Sequence, residues 1–392
     1  MGEDSIKFLH LSDSHFGAHY ALKPKNLHRR AYGELFFQKV SKLIRKAISE
    51  HKIDFIIHSG DFFNQSKPPS EVINYGVKSI EPAIREEIPI YILPGNHERS
   101  KLPLGLLPFS NGNFNLFRKP SSFIFEKNGI KIKITGFPYI RKKIKYKFKS
   151  LVKKAWFNCN RKQVKPDYSI LVIHQLIEGS CIENYTFHKG NHNVLPFQQI
   201  PRKFNYVACG HIHRFQFLYN NRANSSRSTN KSFSIRQNCR KHTWQFWDKH
   251  DLRSSSFRDP LIAYAGSIER VSFAERNEPK GYIIGQVQFS PPNHKIQTVK
   301  FQFHELNAIR MVYLVWDLYK ANMDDYINQT LDKLYRIHSE ILSSRNERDR
   351  FLVAILKIKI KGNGSYSSDK IRYLKQEAEH LDIYLTFSYS ST

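Results

Sequence analysis

Lys7-Phe8-Leu9-His10-Leu11-Ser12-Asp13-Ser14-His15 begins as a short apolar run and ends on two potential metal ligands one residue apart. The run is too short for a helix and stops at Ser and Asp, which favour turns, so residues 7–11 read as a buried strand. The same composition returns four times. Residues 55–58 lead to Ser59-Gly60-Asp61 and residues 90–93 to Pro94-Gly95-Asn96-His97-Glu98. Residues 170–173 lead to His174-Gln175, and 206–209 to Gly210-His211-Ile212-His213. Between the first two runs, residues 27–50 place Leu35, Val40, Leu43, Ala47 and Ile48 on one helical face. A second helix is predicted over 70–86. Strand–helix–strand alternation predicts an α/β fold with partly parallel sheets. Asn128-Gly129, between two β-rich runs over 123–135, predicts a hairpin.

In open α/β sheets ligands gather beyond the carboxyl ends of the strands. All five fragments stand at such ends, so five loops can converge on one point. Carboxylate, imidazole and amide oxygen together suit manganese, iron or zinc. Two such ions about 3.5–4 Å apart clamp the attacking and leaving oxygens of a phosphoester displacement. Taken singly the fragments say little, since Asp-x-His or Gly-Asp is usually only a turn. Gly-His-x-His is sharper, because side chains two apart on a strand share a face. His10 and His58 lie inside strands and read as packed or supporting histidines; Cys209 reads as core. His188 and His192 receive no role.

Composition narrows the partners. Lys plus Arg number 62 against 34 Asp plus Glu, a formal charge of +28, which favours polyanions, nucleic acid before an anionic membrane surface. Arg141, Lys142, Lys143 and Lys145 open a Lys-dense segment, 141–165, with Trp156 and Phe157 interleaved; phosphate contacts are expected there, and base stacking by the two aromatics is the alternative to simple packing. The stretch 219–259, rich in Ser, Asn and Arg, reads as a flexible basic insertion. Cys159, Cys181, Cys209 and Cys239 form no CxxC pair, so free thiols are expected. No leader or membrane-length apolar run is seen, so a cytoplasmic protein with no membrane partner is expected.

The ordered set Asp13-x-His15, Gly60-Asp61, Gly95-Asn96-His97-Glu98, His174 and Gly210-His211-x-His213 resembles the calcineurin-like metallophosphoesterase signature over the first two thirds of the chain. A second stretch, Tyr264-Ala265-Gly266-Ser267-Ile268-Glu269-Arg270-Val271-Ser272-Phe273-Ala274-Glu275 followed by Lys280-Gly281-Tyr282, is similar to the segment closing the catalytic domain of SbcD-type DNA-repair exonucleases, relatives of the meiotic-recombination-11 nuclease. The resemblance implies a four-layer αββα sandwich over 1–290 and a small α+β capping domain over 296–392. It implies that Asp13, His15, Asp61 and His213 hold one divalent ion, and Asp61, Asn96, His174 and His211 the other, with manganese the expected metal. It gives His97 to the scissile phosphate, where it stabilises the transition state or protonates the leaving oxygen, and Glu98 to a supporting role.

The function so implied is a two-metal DNA nuclease, exonuclease or endonuclease. A small-molecule or RNA phosphodiesterase with the same metals is the alternative within the chemistry, though it has no use for the charge. A non-catalytic nucleic-acid-binding scaffold is the alternative outside it, against which the intact ligand set argues. A lipid phosphoesterase rests on the charge alone. Longer relatives carry a C-terminal segment that docks on an SMC-like ATPase of the SbcC type; no such segment is read after the small domain, which bears on that partnership and not on the chemistry. A homodimer stays among the assemblies open to the chain.

Overall fold

The computed structural model describes residues 4–18, 28–98, 102, 113–159, 164–182, 185–188, 190–220, 235–238, 259–343, 354–362 and 367–390. The strands of its first half are β1 (Asp4–Leu11), β2 (Phe55–His58), β3 (Ile90–Ile92), β4 (Phe114–Leu116), β5 (Ser121–Lys127), β6 (Ile130–Gly136) and β7 (Tyr168–His174). Four two-residue strands follow, β8 (Leu176–Ile177), β9 (Cys181–Ile182), β10 (Tyr185–Thr186) and β11 (Val194–Leu195). Then come β12 (Tyr206–Gly210), β13 (Gln216–Asn220), β14 (Ile235–Asn238), β15 (Leu261–Tyr264), β16 (Lys280–Ser290), β17 (Lys295–Leu306), β18 (Arg310–Asp317), β19 (Ala354–Lys361) and β20 (Ile383–Ser390). The helices are α1 (His28–Lys46), α2 (Ser70–Arg85), α3 (Ile144–Phe157), α4 (Met323–Leu342) and α5 (Ser368–His380).

Two large sheets form the first of two compact units. One has the order β17-β16-β1-β2-β3-β4, the other β14-β13-β15-β12-β7-β6-β5. Their facing sides meet in one core, with Ile6, Phe8, Phe55, Ile57 and Tyr91 from the first against Ile132, Ile134, Ile170, Val172 and Tyr206 from the second. On the outside of the first sheet, Val40 and Ile44 of α1 and Ile80 of α2 border one apolar recess with Ile56, Ile90 and Ile92. On the outside of the second, Ile144, Phe148 and Val152 of α3 pack on Leu171, Ile173, Val207 and Cys209. This is the expected helix–sheet–sheet–helix order. β1–β2–β3 and β6–β7–β12 are parallel sets, so their carboxyl ends share a rim.

Several expectations are met closely. β2 spans the predicted residues, α2 ends one residue early, and the Asn128-Gly129 turn joins β5 to β6 with both residues at positive φ. α1 stops at Lys46 and closes in a π-helical turn, Ala47–His51. Within the Lys-dense segment, Ile144–Phe157 form α3, a helix that sequence reading left unassigned. Ile144, Phe148, Val152 and Ala155 are its buried stripe at helical spacing, set among lysines and the aromatics Tyr146, Trp156 and Phe157.

The predicted boundary before residue 296 moves. β17 pairs along its whole length with β16 and closes the edge of the first sheet, so the first unit extends to Leu306. The second unit gathers 307–392 with 270–278 and part of α1 up to Leu35. Its parallel sheet, β18-β19-β20, packs Trp316, Leu356, Ile358 and Leu385 on Leu334 and Ile337 of α4 and Leu374 of α5. Most of the predicted insertion, 219–259, lies outside the described residues; within it, β14 pairs antiparallel with β13.

Candidate metal centre

The loops that leave the shared rim are laced together by backbone bonds. Asp13 N–H donates to Gly60 O (2.9 Å), His15 N–H to Asp61 O (3.0 Å), and Phe16 N–H to Phe62 O (2.9 Å). Asp13, His15, Asp61 and His211 all have positive φ, between 46° and 90°. That region is costly for residues with a β-carbon, and strain of this kind clusters where side chains are held for a function. Gly60 and Gly95 are required by closeness. A β-carbon on Gly60 would lie 2.3 Å from His174 Nδ1, and one on Gly95 would lie 2.2 Å from Asp61 Oδ1.

All seven expected ligands meet. His15 Nε2 is 2.9 Å from His213 Nε2 and 3.9 Å from carboxylate oxygens of both Asp13 and Asp61. His213 Nε2 is 3.8 Å from Asp13 Oδ1. On the other flank His174 Nε2 is 3.3 Å from Asp61 Oδ2, and Asn96 Oδ1 lies 2.9 Å from His174 Nε2 and 2.7 Å from His211 Nδ1. Three groups of side chains have the spacing to hold an ion: Asp13, His15 and His213; Asp61, His174 and His211; and His15, Asp61 and His97. Asp61 is common to the last two and lies between the flanks.

The donor set fits divalent cations on its chemistry. His174 Nδ1–H donates to Ser59 O (2.8 Å), which leaves Nε2 pointing its lone pair at Asn96 Oδ1 and Asp61 Oδ2. Acceptors face acceptors there unless a positive charge sits between them. Without metal that charge is a proton. Burial lowers the basicity of His174, but Asp61 and Asp13 outweigh it and raise its pKa to about 9. Burial would likewise raise Asp61, yet the imidazoles of His174, His15 and His97 hold it well below the ordinary carboxylate range. Burial and the neighbouring His174 hold His211 neutral, at about 3.

A divalent ion held by His174 would displace this proton, which binding favours more as protons become scarce. Metal affinity is expected to rise about tenfold per pH unit below about 9 and to level off above it. Isothermal titration of the metal-free protein with Mn²⁺ at several pH values, in buffers of different ionisation enthalpy, reads both the affinity and the released proton. Affinity flat between pH 6 and 8 would contradict this account.

His97 differs from the seven. Its side chain is 40% exposed, whereas those of His15 and His174 are 1% and 0%. Nδ1–H donates to Asn64 O (2.8 Å), so Nε2 is turned to the site, 4.0 Å from Asp61 Oδ2. That geometry serves a proton donor and also falls within reach of a ligand role beside His15 and Asp61.

Supporting residues complete the centre. Buried Glu98 accepts from Phe63 N–H (2.8 Å) and Gly95 N–H (2.6 Å), clamping two ligand loops. Burial and then Asp61 raise its pKa to about 8. His10 bonds Tyr206 Oη and Ser59 Oγ, both at 2.9 Å, and His58 bonds Ser14 Oγ at 2.8 Å. Burial above all holds both neutral, near 3, as supporting histidines. Lys280, quoted in the second sequence signature without a role, is buried and donates to His213 O (2.9 Å) and Ser267 Oγ (2.8 Å). The second sequence signature, which includes Lys280 at the start of β16, thus braces the backbone of His213.

Of the basic residues, Arg141, Lys142 and Lys143 are exposed just before α3, and Lys145 is half-buried in its first turn. Trp156 carries Lys133 and Lys203 at 4.1 and 3.8 Å from its ring centre and stands edge-on to Phe204. Its contacts are those of packing. Phe157 is 71% exposed.

The family described as calcineurin-like phosphoesterase matches residues 6–215. The chain is 30% identical over 348 residues to a DNA double-strand break repair protein Mre11 from Methanococcus maripaludis, covering 86% of this chain and 75% of that one. It is 31% identical over 214 residues to a protein of the same name from Methanocaldococcus jannaschii, covering 53% of this chain and 52% of that one. The chain thus spans three quarters of the first relative and about half of the second. A solved dimetal phosphatase from Danio rerio aligns with a TM-score of 0.38 and 8% identity over 76% of this chain and 99% of that one, a likeness that carries no argument.

Proposed function

The chain belongs to the calcineurin-like phosphoesterase family, and on that premise we propose that it is a metal-dependent DNA-repair nuclease that hydrolyses phosphodiester bonds. The observation that carries the reading is the convergence of Asp13, His15, Asp61, Asn96, His174, His211 and His213 from five loops onto one centre. In this reading Asp13, His15, Asp61 and His213 hold one ion and Asp61, Asn96, His174 and His211 the other. Manganese is the working metal, with iron or zinc able to fill the same donors. Two bound ions would supply Lewis acidity and an activated water. The chain's own residues do the rest: Asp61 would belong to both ligand sets, Ser59 O orients His174, and His97 Nε2 delivers a proton to the leaving oxygen.

DNA is the proposed substrate on two supports: relatives named for DNA double-strand break repair, and a charge of +28. The second compact unit, 307–392 with 270–278, is read as the capping domain. An SMC-like ATPase of the SbcC type and a second copy of this chain are the protein partners to seek by co-purification. Among the described residues no helix is long and apolar enough to cross a membrane. The test is cleavage of end-labelled DNA and RNA and of bis-p-nitrophenyl phosphate with Mn²⁺. Mn²⁺-dependent cutting of DNA is expected. Preference for RNA or for the small ester alone would favour the phosphodiesterase reading, and metal uptake with no cleavage at all would favour the scaffold.

The exposed Arg141, Lys142 and Lys143 are expected to meet phosphates rather than bases. Neutralising all three should weaken DNA binding on every sequence alike. It should also reduce the slope of log K against log salt by about 0.7–0.9 for each phosphate no longer neutralised. Fluorescence anisotropy across a salt series reads this, and superimposable curves would leave these residues as a solvated surface.

A further inference from the structure

β6 and β7 run parallel with Gly136 level with Val172, so the chain beyond Gly136 climbs toward the height of His174. It passes Phe137 and Pro138 and reaches Tyr139. The Tyr139 ring stands edge-on to that of His174, at 5.9 Å and 83°, and tilted against that of His211, at 5.5 Å and 40°. Its backbone N–H donates to Pro94 O (3.1 Å), which ties this loop to the one carrying Asn96 and His97. The residue is half-buried. On the opposite flank, His97 stands edge-on to His15 at 4.7 Å. Two incompletely buried rings therefore flank the centre, one beside each set of ligands. Two residues past Tyr139 the exposed Arg141, Lys142 and Lys143 begin.

We propose that Tyr139 is a specificity-determining residue whose ring stacks on the nucleoside lying on the His174–His211 side of the scissile phosphate. The strand then runs on to Arg141, Lys142 and Lys143. This rests on the nuclease reading of the same centre. A phosphodiester held between the two flanks projects one nucleoside past each of them, and on this side the half-buried tyrosine ring stands against both imidazoles. An aromatic face suits an enzyme that must accept any sequence, because every base has a π-face. The basic residues beyond it supply contacts to phosphates, which are equally indifferent to sequence. The competing role for Tyr139 is packing alone, with the ring only keeping the two imidazoles in place.

Two substitutions separate the roles. Tyr139→Phe keeps the aromatic face, whereas Tyr139→Leu keeps comparable cover over His174 and His211 without it. The Mn²⁺-loaded full chain is assayed on a single-stranded thymidine oligonucleotide and on methyl p-nitrophenyl phosphate, which has no nucleoside. Relative to wild type, the Leu variant should raise KM for the oligonucleotide about tenfold more than it raises KM for the small ester. The Phe variant should restore most of that difference. Equal losses on the two substrates, with reduced metal content, would overturn the proposal in favour of packing. Phe and Leu variants alike on the oligonucleotide would overturn it too, since the aromatic face would then contribute nothing. Wild-type protein that turns over the ester but leaves the oligonucleotide intact would remove the nuclease reading itself, and the nucleoside with it.

Discussion

Asp61→Asn is expected to cost the protein both ions and, with them, activity on the order of 10³-fold or more. The reasoning begins from what the substitution preserves. Asn has the shape of Asp, and its amide oxygen can still accept the His97 N–H that Asp61 Oδ1 now accepts at 2.9 Å. The left-handed backbone at position 61 also tolerates Asn. What disappears is the charge. Asp61 stands between the two flanks, 3.3 Å from His174 Nε2 and 3.9 Å from His15 Nε2, and it is the carboxylate that both ion positions share in the proposed scheme. Losing several kcal/mol of charge stabilisation corresponds to roughly the rate loss stated. Stability gives a second readout. Without metal, Asp13 and Asp61 are two buried carboxylates close enough to act on each other. The imidazoles of His174, His15 and His97 outweigh that repulsion and stabilise the ionised Asp61, so the variant should melt below wild type when metal-free and should also lose the rise in Tm that Mn²⁺ gives the wild type. Inductively coupled plasma analysis and a pair of melting curves decide it. A variant that keeps two ions and most of its activity would mean the ions do not share Asp61.

The centre was legible because its parts repeat one local pattern. A short apolar run followed by a small residue and a ligand can be recognised without knowing where the strand goes, and a parallel α/β sheet brings such ends to one rim. Other features depend on partners far along the chain. The alternation of residues 295–306 says strand, but nothing local says that the strand pairs with β16 and not within the small unit, and the domain boundary was misplaced for that reason. α3 was hidden by composition, since its buried Ile144, Phe148, Val152 and Ala155 are outnumbered by lysine and aromatic neighbours that mask the period. The positive φ of Asp13, His15, Asp61 and His211 leaves no trace in composition, because nothing but the fold asks a residue with a β-carbon to sit there. Tyr139 was overlooked because it belongs to no ligand fragment; only the register of β6 on β7 raises it to the level of His174.

His97→Ala should separate a group that acts on the substrate from one that holds metal. Two observations pull in different directions. The bond from Nδ1–H to Asn64 O leaves Nε2 facing inward, and the spacing to His15 and Asp61 admits an ion. Yet the ring is far more exposed than those of the buried ligands, and His15 and Asp61 already have places in the scheme without it. A histidine at the open edge of the site with Nε2 turned inward is placed to pass a proton to a leaving oxygen. Removing such a donor typically costs about 10²–10⁴ in rate. The loss should be largest for esters with poor leaving groups, which need the proton, and smaller for a p-nitrophenyl ester, whose leaving oxygen is already a weak base. Metal content should stay near two ions in His97→Ala and fall in His174→Ala, measured side by side. A parallel fall in both would make His97 a ligand, and the proton for the leaving oxygen would then have to come from another group or from water.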